Sequence, residues 1–315
     1  MPKTQNVLTV TANPAIDITT RVSSITHEHK LRCSGMQRDP GGGGVNVARV
    51  LTRFGIDCQA LYLAGGILGR LLQRLLEQEG VRSVAVEIEA EIRESFTVLE
   101  ESSGHEFRFV LPGPTLQRQD WQACIDRVSA IDPFPDWLVA SGSLSPGVPD
   151  DFYARLARIA HQRGSRMVLD ASGAALAAAL DEGVHLVKPN LRELRELTGE
   201  PLENEADWLA AAGRLVDTGK AEIVALSLGH RGALLASDGL RLRAPAIPVE
   251  IAGTVGAGDS FLASFVSRLA ADAGLEQAFR YGVAGGTAAL LHSGTSLATP
   301  DEVERLAALV EFRSV

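Results

Sequence analysis

Apolar segments of two kinds alternate along most of this chain, and that alternation limits its fold more than any other feature. Short runs typical of buried strands occur at residues 7–11, 60–64 and 137–140. Longer runs with helical spacing lie between and after them, such as 45–54 and 151–161. Strands that alternate with crossover helices form a mainly parallel sheet flanked by helices. The sequence therefore predicts an α/β fold, and no repeat, low-complexity tract or linker divides its 315 residues.

The same pattern continues toward the C-terminus. Strand-like runs at 167–170 and 185–187 alternate with helix-like runs at 174–180 and 191–197. The last third predicts a strand at 222–227, a hairpin of 232–236 with 240–243, and then three helices. We therefore expect a single domain over residues 1–315.

Two segments interrupt the alternation. Residues 19–38 are polar and poor in helical spacing, and residues 95–110 predict two strands joined at Ser102, Ser103 and Gly104. We expect both segments to form one small antiparallel sheet, built from about residues 18–38 and 92–110. Such a sheet could serve as a lid over a cleft or as an exposed oligomer surface, and one sheet can do both.

The composition excludes several classes of protein. Hydrophobic residues make up 45% and charged residues 22% of the chain, and no apolar run approaches the roughly 20 residues of a membrane span. The net charge of -9 disfavours nucleic acid and anionic membranes as partners, because both attract positive fields. The three cysteines lack zinc or disulfide spacing, and the first residues do not resemble a signal peptide, so we expect a soluble cytoplasmic protein.

Small residues and one acid stand together at Gly256, Ala257, Gly258 and Asp259, directly before an apolar run. Small residues let backbone N–H groups approach a ligand, and the positive end of a helix dipole favours an anion there. Because Asp259 would face that anion, a proton or cation has to lie between them, and a substrate hydroxyl could supply the proton. The motif predicts a phosphoryl-binding helix start with Asp259 as general base. An acid that only stabilises the helix is the alternative.

Four consecutive glycines at residues 41–44 lead into the apolar run that contains Asn46. The run lacks the ending of a P-loop, and it does not directly follow the first strand as a dinucleotide-binding motif would. Bare backbone at Gly42 and Gly43 could lie against a ligand, and the Asn46 amide could bind a hydroxyl or phosphate oxygen. A flexible loop before a helix is the alternative interpretation.

Two more polar side chains are expected near strand ends. Asp17 lies just past the first strand, where it could accept hydrogen bonds from sugar hydroxyls or cap a turn. Ser141 follows the strand at 137–140, where it adds a hydroxyl to a site or belongs to a plain turn.

Four basic residues fall in or beside the segments predicted to form the small sheet. Lys30 and Arg32 are two residues apart, a spacing that shares one face of a strand, and Arg93 and Arg108 lie in the second segment. Together they could form the basic cluster that an anionic substrate requires in a chain of negative net charge. Taken singly, each is a type of residue that usually forms solvated surface.

A second polar group is expected at the ends of later strands. Asn190 and Glu193, just after Lys188, have the spacing of a capping box, and capping alone would explain them. The amide and the carboxylate could also hold Mg²⁺ through water near nucleotide phosphates, with Asp170 in the outer shell. A tight turn beside the nucleotide is predicted from Ser227, Gly229 and Gly232.

Taken together, these residues resemble the ribokinase-like family of sugar kinases of the phosphofructokinase B type. The resemblance covers nearly the full chain, and the motif at 256–259 in combination with the glycine run is highly specific. Within the family, residues 30–32, the four glycines, Arg93 and residues 107–110 are most similar to the minor bacterial 6-phosphofructokinase branch. Related fructose-1-phosphate and tagatose-6-phosphate kinases usually carry a lysine within the glycine loop. This chain has Gly43 there, which favours fructose 6-phosphate as substrate.

The resemblance implies a ribokinase-like fold with a β lid, dimers that often join through the lids, and transfer of the ATP γ-phosphoryl group to a sugar phosphate. It implies that Asp259 is the base and that Gly256, Ala257 and Gly258 form the anion hole. It implies that the sugar is bound by Asp17, Gly42, Gly43, Asn46 and Ser141, and that the sugar's phosphate or its surroundings are contacted by Lys30, Arg32, Arg93 and Arg108. It implies that ATP is bound by Lys188, Asn190, Ser227, Gly229 and Gly232. It implies that Mg²⁺ is bound by Asn190, Glu193 and Asp170. His292 falls at the adenine edge, where the family varies, and its role stays open.

Alternative functions stay open at this point. Kinases of fructose 1-phosphate or tagatose 6-phosphate would use the same motifs, whereas another sugar or nucleoside kinase would not need the basic cluster. A chain of a different class could bind sugar phosphate or nucleotide without catalysis and act as a sensor. The intact Asp259, Asn190 and Glu193 argue against a sensor.

Overall fold

The computed structural model describes residues 5–27 and 29–315. The first four residues, on which the expectation about a signal peptide partly rests, lie outside the described residues. The strands are, in chain order, β1 (Val7–Thr11), β2 (Ala15–Val22), β3 (Ser34–Gly41), β4 (Cys58–Ala64), β5 (Arg82–Glu87), β6 (Arg93–Glu100), β7 (Glu106–Val110), β8 (Trp137–Ser141), β9 (Arg166–Asp170), β10 (Val184–Val187), β11 (Ala221–Ser227), β12 (Ala233–Ser237), β13 (Leu240–Ala244) and β14 (Arg313–Ser314). The α-helices are α1 (Gly43–Arg53), α2 (Gly66–Gln78), α3 (Arg118–Ser129), α4 (Phe152–Gln162), α5 (Gly173–Asp181), α6 (Leu191–Thr198), α7 (Glu205–Asp217), α8 (Ala257–Ala270), α9 (Leu275–Ala289) and α10 (Pro300–Ala307).

The large sheet has the strand order β14-β13-β12-β11-β10-β9-β8-β1-β4-β5. The strands from β11 to β5 pair in parallel, and β12, β13 and β14 extend one edge in antiparallel pairing. Every residue of β1 and of β8 is buried, as expected of parallel strands that helices cover on both faces. The predicted mainly parallel sheet is confirmed.

Helices pack against both faces of the large sheet. Alternate residues of β4 point to opposite faces, so that Ala60 and Tyr62 belong to one apolar cluster while Leu61 and Leu63 belong to the other. The first cluster draws on α1, α2, α8, α9 and α10, and the second on α3 to α7. The core is therefore split by the sheet into two layers.

The small sheet has the strand order β3-β2-β6-β7 and is separate from the large one. Its existence confirms the prediction, but its pairing differs in one respect: the central strands β2 and β6 are parallel, and only the outer pairs are antiparallel. Strand β2 begins at Ala15, earlier than the predicted start at about residue 18, whereas β6 begins at Arg93, within the predicted 92–110. Asp17 follows β1 as expected, but it lies within strand β2, so the alternative interpretation, that it caps a turn, is wrong.

Helices α3 and α7 and strands β5 and β14 were not predicted from the sequence. Helices α7 and α3 nevertheless begin with a capping box, the same sequence signal that marks the start of α6. The Asp207 N–H donates to Asn204 Oδ1 over 3.1 Å at the start of α7, and the Gln117 N–H donates to the Asp120 carboxylate over 2.8 Å at the start of α3. Strand β14 spans two residues, too few for any period to be visible.

The parallel strands end at a common edge of the large sheet, which positions the site. Ser141 ends β8, Asp170 ends β9, Lys188 follows β10 and Ser227 ends β11. Ligands of open α/β sheets bind in the crevice outside this edge. Among the described residues, no helix combines the length and the apolar character that crossing a bilayer requires.

Candidate active site

A cleft of about 340 Å³ opens at the carboxyl edge of the large sheet, beneath the small sheet. It is lined by Asp17, Gly42, Gly43, Asn46, Arg93, Arg108, Ser141, Gly142, Ser143, Asp170, Ala171, Ser172, Glu193 and residues 254–259. Residues from both sheets and from the starts of four helices, α1, α5, α6 and α8, therefore meet at one place.

Helix α8 begins at this cleft with the small-residue motif. Gly256 precedes the helix with a φ of 74°, a left-handed conformation that glycine adopts without strain. A Cβ on Gly256 would lie 2.3 Å from Leu297 Cδ2, so the Leu297 side chain would have to move to accept a larger residue. Ala257 and Gly258 then form the first turn, whose N–H groups have no acceptor earlier in the helix and are free for an anion.

Helix α1 begins at the opposite wall with the glycine run. Gly42 has a φ of 109°, and a Cβ on Gly43 would lie 2.3 Å from Ser141 Oγ. A Cβ on Gly44 would lie 2.7 Å from the Val10 carbonyl oxygen. These glycines let the helix start pack directly against the ends of β1 and β8, so the interpretation as a flexible loop is wrong. Two helix N-termini, each with partial positive charge, thus face one cleft.

Asp259 connects the two helices. The Asn46 Nδ2 group donates a hydrogen bond to Asp259 Oδ2 over 2.8 Å, across 213 residues of sequence. The Asp259 side chain is half-buried in the cleft wall. Burial and the negative charge of Asp170 raise its pKa to about 6 from an ordinary value of 3.8, against the opposing effects of Asn46, Lys188 and Arg108. A carboxylate with this pKa is a competent proton acceptor near neutral pH.

A buried lysine lies behind the first turn of α8. Lys188 Nζ lies 3.1 Å from Asp170 Oδ2, and a Cβ on Gly258 would lie 3.3 Å from the same nitrogen. Burial alone would lower the Lys188 pKa, but the carboxylates of Asp170, Glu193 and Asp259 raise it above its ordinary value. The lysine is therefore charged and adds positive potential beneath the first turn of α8.

Glu193 provides a second carboxylate at this end of the cleft. The Asn190 N–H donates to Glu193 Oε2 over 2.8 Å, and the Glu193 N–H donates to Asn190 Oδ1 over 2.9 Å, which confirms the predicted capping box. Burial raises the Glu193 pKa, and the negative charge of Asp170 raises it further. Within the described residues, no three His, Cys, Asp or Glu side chains are grouped to hold a metal ion directly. This donor set fits a cation bound largely through water and phosphate, which is the usual manner of Mg²⁺.

The small sheet contributes positive charge to the opposite side of the cleft. Arg93 donates to the Asn13 and Leu111 carbonyl oxygens, each over 3.3 Å, and burial lowers its pKa. Arg108 of β7 lines the cleft beside it. Burial raises the pKa of Asp17, although Arg108, Arg93 and Arg49 oppose that shift. Two guanidinium groups beside one carboxylate leave net positive charge, which suits a phosphate group.

A scan of protein families matches this chain. The model of the pfkB family carbohydrate kinase aligns with residues 5–302. The chain belongs to the pfkB family of carbohydrate kinases. A member of this family is a phosphotransferase that has an alcohol group as acceptor.

Relatives of this pfkB family kinase include two curated bacterial enzymes. It is 43% identical over 299 residues to ATP-dependent 6-phosphofructokinase isozyme 2 of Mycobacterium tuberculosis, which covers 95% of this chain and 88% of the relative. It is 31% identical over 300 residues to 1-phosphofructokinase of Bacillus subtilis, which covers 95% of this chain and 97% of the relative.

Solved structures of Escherichia coli phosphofructokinase-2 have the same architecture. The complex with fructose-6-phosphate aligns with a TM-score of 0.90 at 37% identity, over 97% of this chain and 99% of that one. The tetrameric inhibited form aligns with a TM-score of 0.91 at 38% identity, over the same shares of the two chains. The predicted ribokinase-like fold of this pfkB family kinase is thereby confirmed.

The predicted nucleotide-side residues of the kinase lie next to the cleft. Asn190 and Ser227 form a parallel β-bridge, which places the start of α6 against the end of β11. Gly229 and Gly232 follow with φ values of 60° and 92°, and a Cβ on Gly232 would lie 2.1 Å from the Ala244 carbonyl oxygen. The predicted tight turn is therefore confirmed as a structure. None of these four residues lines the cleft itself.

The structure contradicts the predicted placement of Lys30 and Arg32. Both lie in the exposed connection between β2 and β3, so they do not share the face of a strand. Neither of them lines the cleft of this kinase. Spacing by two residues puts side chains on one face only where the backbone is extended in a sheet, and β3 begins later, at Ser34.

Several cleft residues of the kinase were not singled out from the sequence. Ser143 lines the cleft two residues after the predicted Ser141, and it accepts a hydrogen bond from Asn13 Nδ2 over 3.2 Å. Ser172, the residue before α5, and Thr254, three residues before α8, also line the cleft. The signal that could have found Ser143 and Ser172 is their position after strands β8 and β9. His292, whose role the sequence left open, pairs with Glu302 over 2.8 Å.

Proposed function

We propose that this kinase transfers the γ-phosphoryl group of ATP to a hydroxyl group of fructose 6-phosphate, forming fructose 1,6-bisphosphate and ADP. The observation that carries the proposal is the position of Asp259, between the N–H groups of the α8 start and the arginines of the small sheet. The relationship to ATP-dependent 6-phosphofructokinase isozyme 2 supports ATP as donor and fructose 6-phosphate as acceptor.

The chemistry asks mainly for alignment and charge stabilisation. The sugar hydroxyl attacks the γ-phosphorus, its proton passes to Asp259, and the bond from phosphorus to the ADP oxygen breaks. The backbone N–H groups of residues 256–258 hold the negative charge of the transferred group, and Lys188 adds to the positive potential behind them. Each of these groups is fixed by packing before substrate arrives, which lowers the reorganisation that the transition state requires.

We propose that ATP lies along Asn190, Ser227, Gly229 and Gly232, with its phosphates directed toward the cleft. Asp170, Glu193 and Asn190 would hold Mg²⁺ through water, and the ion would neutralise charge on the β- and γ-phosphates. The raised pKa of Glu193 beside Asp170 supports this, because a cation near two crowded carboxylates relieves their repulsion.

The existing phosphate of the sugar would pair with Arg93 and Arg108, while Asp17, Gly42, Gly43, Asn46 and Ser141 would hold the sugar. A lysine at position 43 would have to displace Ser141, because even a Cβ would lie 2.3 Å from its Oγ. That obstacle supports fructose 6-phosphate over fructose 1-phosphate or tagatose 6-phosphate, whose kinases usually have a lysine in this loop.

We also propose that the small sheet closes over the cleft and joins two chains into a homodimer in the cytoplasm, where ATP is available. The strands of the small sheet expose apolar side chains, including Met36 at 59%, Phe109 at 53% and Val110 at 55%. Exposed apolar side chains of this size on a small sheet support a protein interface. Light scattering should give twice the mass of one chain, and a monomer at micromolar concentration would contradict the dimer. A fourfold mass would match the tetrameric form of the Escherichia coli relative.

The substrate is tested by a panel of acceptors under saturating Mg²⁺ and ATP. We expect kcat/KM for fructose 6-phosphate to exceed that for fructose 1-phosphate, tagatose 6-phosphate and unphosphorylated fructose by at least tenfold. A preference for either competing sugar phosphate would refute the substrate and leave the kinase class standing. Equal rates with unphosphorylated fructose would refute the role of the arginines.

A sensor without catalysis is the candidate of a different class. It would bind sugar phosphate and ATP at the same cleft but release no ADP. The raised pKa of Asp259 argues against it, since a site that only binds two anions gains nothing from a proton acceptor between them.

A further inference from the structure

A buried arginine, Arg49, contacts the Asn46 side chain that donates a hydrogen bond to Asp259. Arg49 lies one helical turn after Asn46 on α1, and its side chain is only 2% exposed. Its Nη1 group donates to Asn46 Oδ1 over 3.3 Å and to the Pro40 carbonyl oxygen over 2.9 Å. No sequence motif assigns Arg49 a role.

Arg49 is itself held from the other side. Its Nε and Nη2 groups donate to Glu79 Oε1 over 2.9 and 2.7 Å, which makes a two-pronged ion pair. Burial raises the Glu79 pKa, but Arg49 and Arg53 outweigh that effect and lower it, so the carboxylate stays ionised. The guanidinium group therefore has one orientation, with Nη1 toward Asn46.

That orientation decides which way the Asn46 amide faces. A guanidinium group has five N–H donors and no acceptor, so it favours the amide oxygen and disfavours the amide nitrogen as its neighbour. With Oδ1 toward Arg49, the Asn46 nitrogen is directed to Asp259 Oδ2 at 2.8 Å. The hydrogen bonds of residues 5–27 and 29–315 leave Asp259 Oδ1 without a protein partner. One carboxylate oxygen is thus fixed and the other is available to a substrate.

We infer that Arg49 is a positioning residue that acts on Asp259 only through Asn46, by fixing the Asn46 amide as a donor to Asp259 Oδ2. The inference rests on the proposed role of Asp259 as the base. Loss of the guanidinium group lets the amide rotate, so that its oxygen can face the carboxylate and repel it. The base then spends less time in the orientation that accepts the proton, and kcat falls while ATP binding is kept.

The experiment is a double-mutant cycle with Arg49→Met and Asn46→Ala, measured as kcat and KM for fructose 6-phosphate and ATP. We expect Arg49→Met alone to lower kcat by about 10- to 100-fold with KM for ATP within about twofold, because small misplacement of a reacting group carries costs of this size. In the Asn46→Ala background the same change should lower kcat by less than threefold. Equal losses in both backgrounds would overturn the inference.

Two further variants separate positioning from folding. Arg53→Met removes another ion pair of Glu79, at 3.2 Å, without touching Asn46, and should leave kcat within about twofold. Arg49→Lys retains one donor and a positive charge, so its kcat should fall between those of the wild type and Arg49→Met. If Arg49→Met does not fold, Arg49→Lys takes its place in the cycle. A loss in Arg53→Met as large as in Arg49→Met would show that the ion pair only stabilises the fold and would overturn the inference.

The pH profile gives an independent readout. The Asn46 hydrogen bond lowers the Asp259 pKa, so weakening it should move the acidic limb of kcat/KM to higher pH. The charged groups that act on Asp259 from the other elements, Asp170, Lys188 and Arg108, are unchanged in the variant. An acidic limb at the wild-type pH would overturn the inference. Normal activity in Asp259→Asn would refute Asp259 as the base and therefore the proposed function. Additive effects of Arg49→Met and Asn46→Ala would refute only the positioning role of Arg49.

Discussion

Replacing Asp259 by asparagine should separate catalysis from binding and from stability. The amide keeps the size of the side chain and can still accept the hydrogen bond from Asn46, but it cannot accept the proton of the sugar. General-base catalysis contributes roughly 10²- to 10⁴-fold, so kcat should fall by about that factor. The KM values for ATP and fructose 6-phosphate should change by less than about threefold, because residues 256–258 and the arginines are intact.

The stability of Asp259→Asn should move in the opposite direction to its activity. Folding raises the Asp259 pKa from 3.8 to about 6, so the ionised carboxylate is less favourable in the folded state than in the unfolded state. At pH 7 this difference lowers the free energy of unfolding of the wild type by at most about 3 kcal/mol. This cost is present in full above pH 6, shrinks as the pH falls through 6 and vanishes below about 4. The variant should therefore be at least as stable as the wild type at pH 7, with the gain lost near pH 4.

Urea unfolding at pH 7 and pH 4.5, together with initial rates of ADP formation, makes this comparison. Asn46→Ala is the matched control, since it removes the other partner of the same hydrogen bond and leaves the base in place. Near-normal kcat in Asp259→Asn would refute the base. A loss of activity accompanied by a lower free energy of unfolding at pH 7 would show that the carboxylate caps the helix, and would refute the reasoning from its pKa.

Three other outcomes follow from the same geometry. The acidic limb of wild-type kcat/KM should have an apparent pKa of about 6 and not near 4, because burial and Asp170 raise the Asp259 pKa; a limb near 4 would contradict this. Arg93→Ala or Arg108→Ala should raise KM for fructose 6-phosphate by about 10- to 100-fold, the size of a lost charged hydrogen bond, whereas exposed Arg127→Ala on α3 should not change it. Gly232→Ala should lower the free energy of unfolding by about 3 kcal/mol or more, because its φ is 92° and the new Cβ would contact the Ala244 carbonyl oxygen. Gly239→Ala is the control: its φ is 66° and the space around it is open, so it should lower the free energy of unfolding by only about 1 kcal/mol. Equal losses of stability in the two variants would refute the packing argument.

Much of the fold was predictable because its signals are local. Buried parallel strands appear as continuous apolar runs, and the start of α6 has a reciprocal cap at Asn190 and Glu193. The motif at 256–259 was predictable for a similar reason, since small residues before an apolar helix have few structural uses. The small sheet was predictable as an interruption of the pattern, but its parallel central pair was not, because pairing of β2 with β6 joins residues that are about 78 apart in the chain.

The residues that were misplaced or missed depend on contacts over long separations. Lys30 and Arg32 had a strand-like spacing, but spacing does not show where a strand begins. A turn stayed open as an alternative for Asp17 because the start of β2 at Ala15 was not predicted. Arg49 could not be found at all, since its importance comes from Glu79, 30 residues away, and from the direction in which that ion pair turns its guanidinium group.

Phosphorus NMR of the reaction products tests the central claim most directly. Purified protein is mixed with fructose 6-phosphate, ATP and Mg²⁺, and the phosphorus signals are followed with time. We predict that ADP and a second phosphomonoester on the sugar appear in equal amounts, that the product is fructose 1,6-bisphosphate, and that neither forms with Asp259→Asn on the same time scale. Calorimetric binding of both ligands with no ADP formed, or ADP with inorganic phosphate and no new sugar ester, would contradict the claim that this cleft carries out phosphoryl transfer to fructose 6-phosphate.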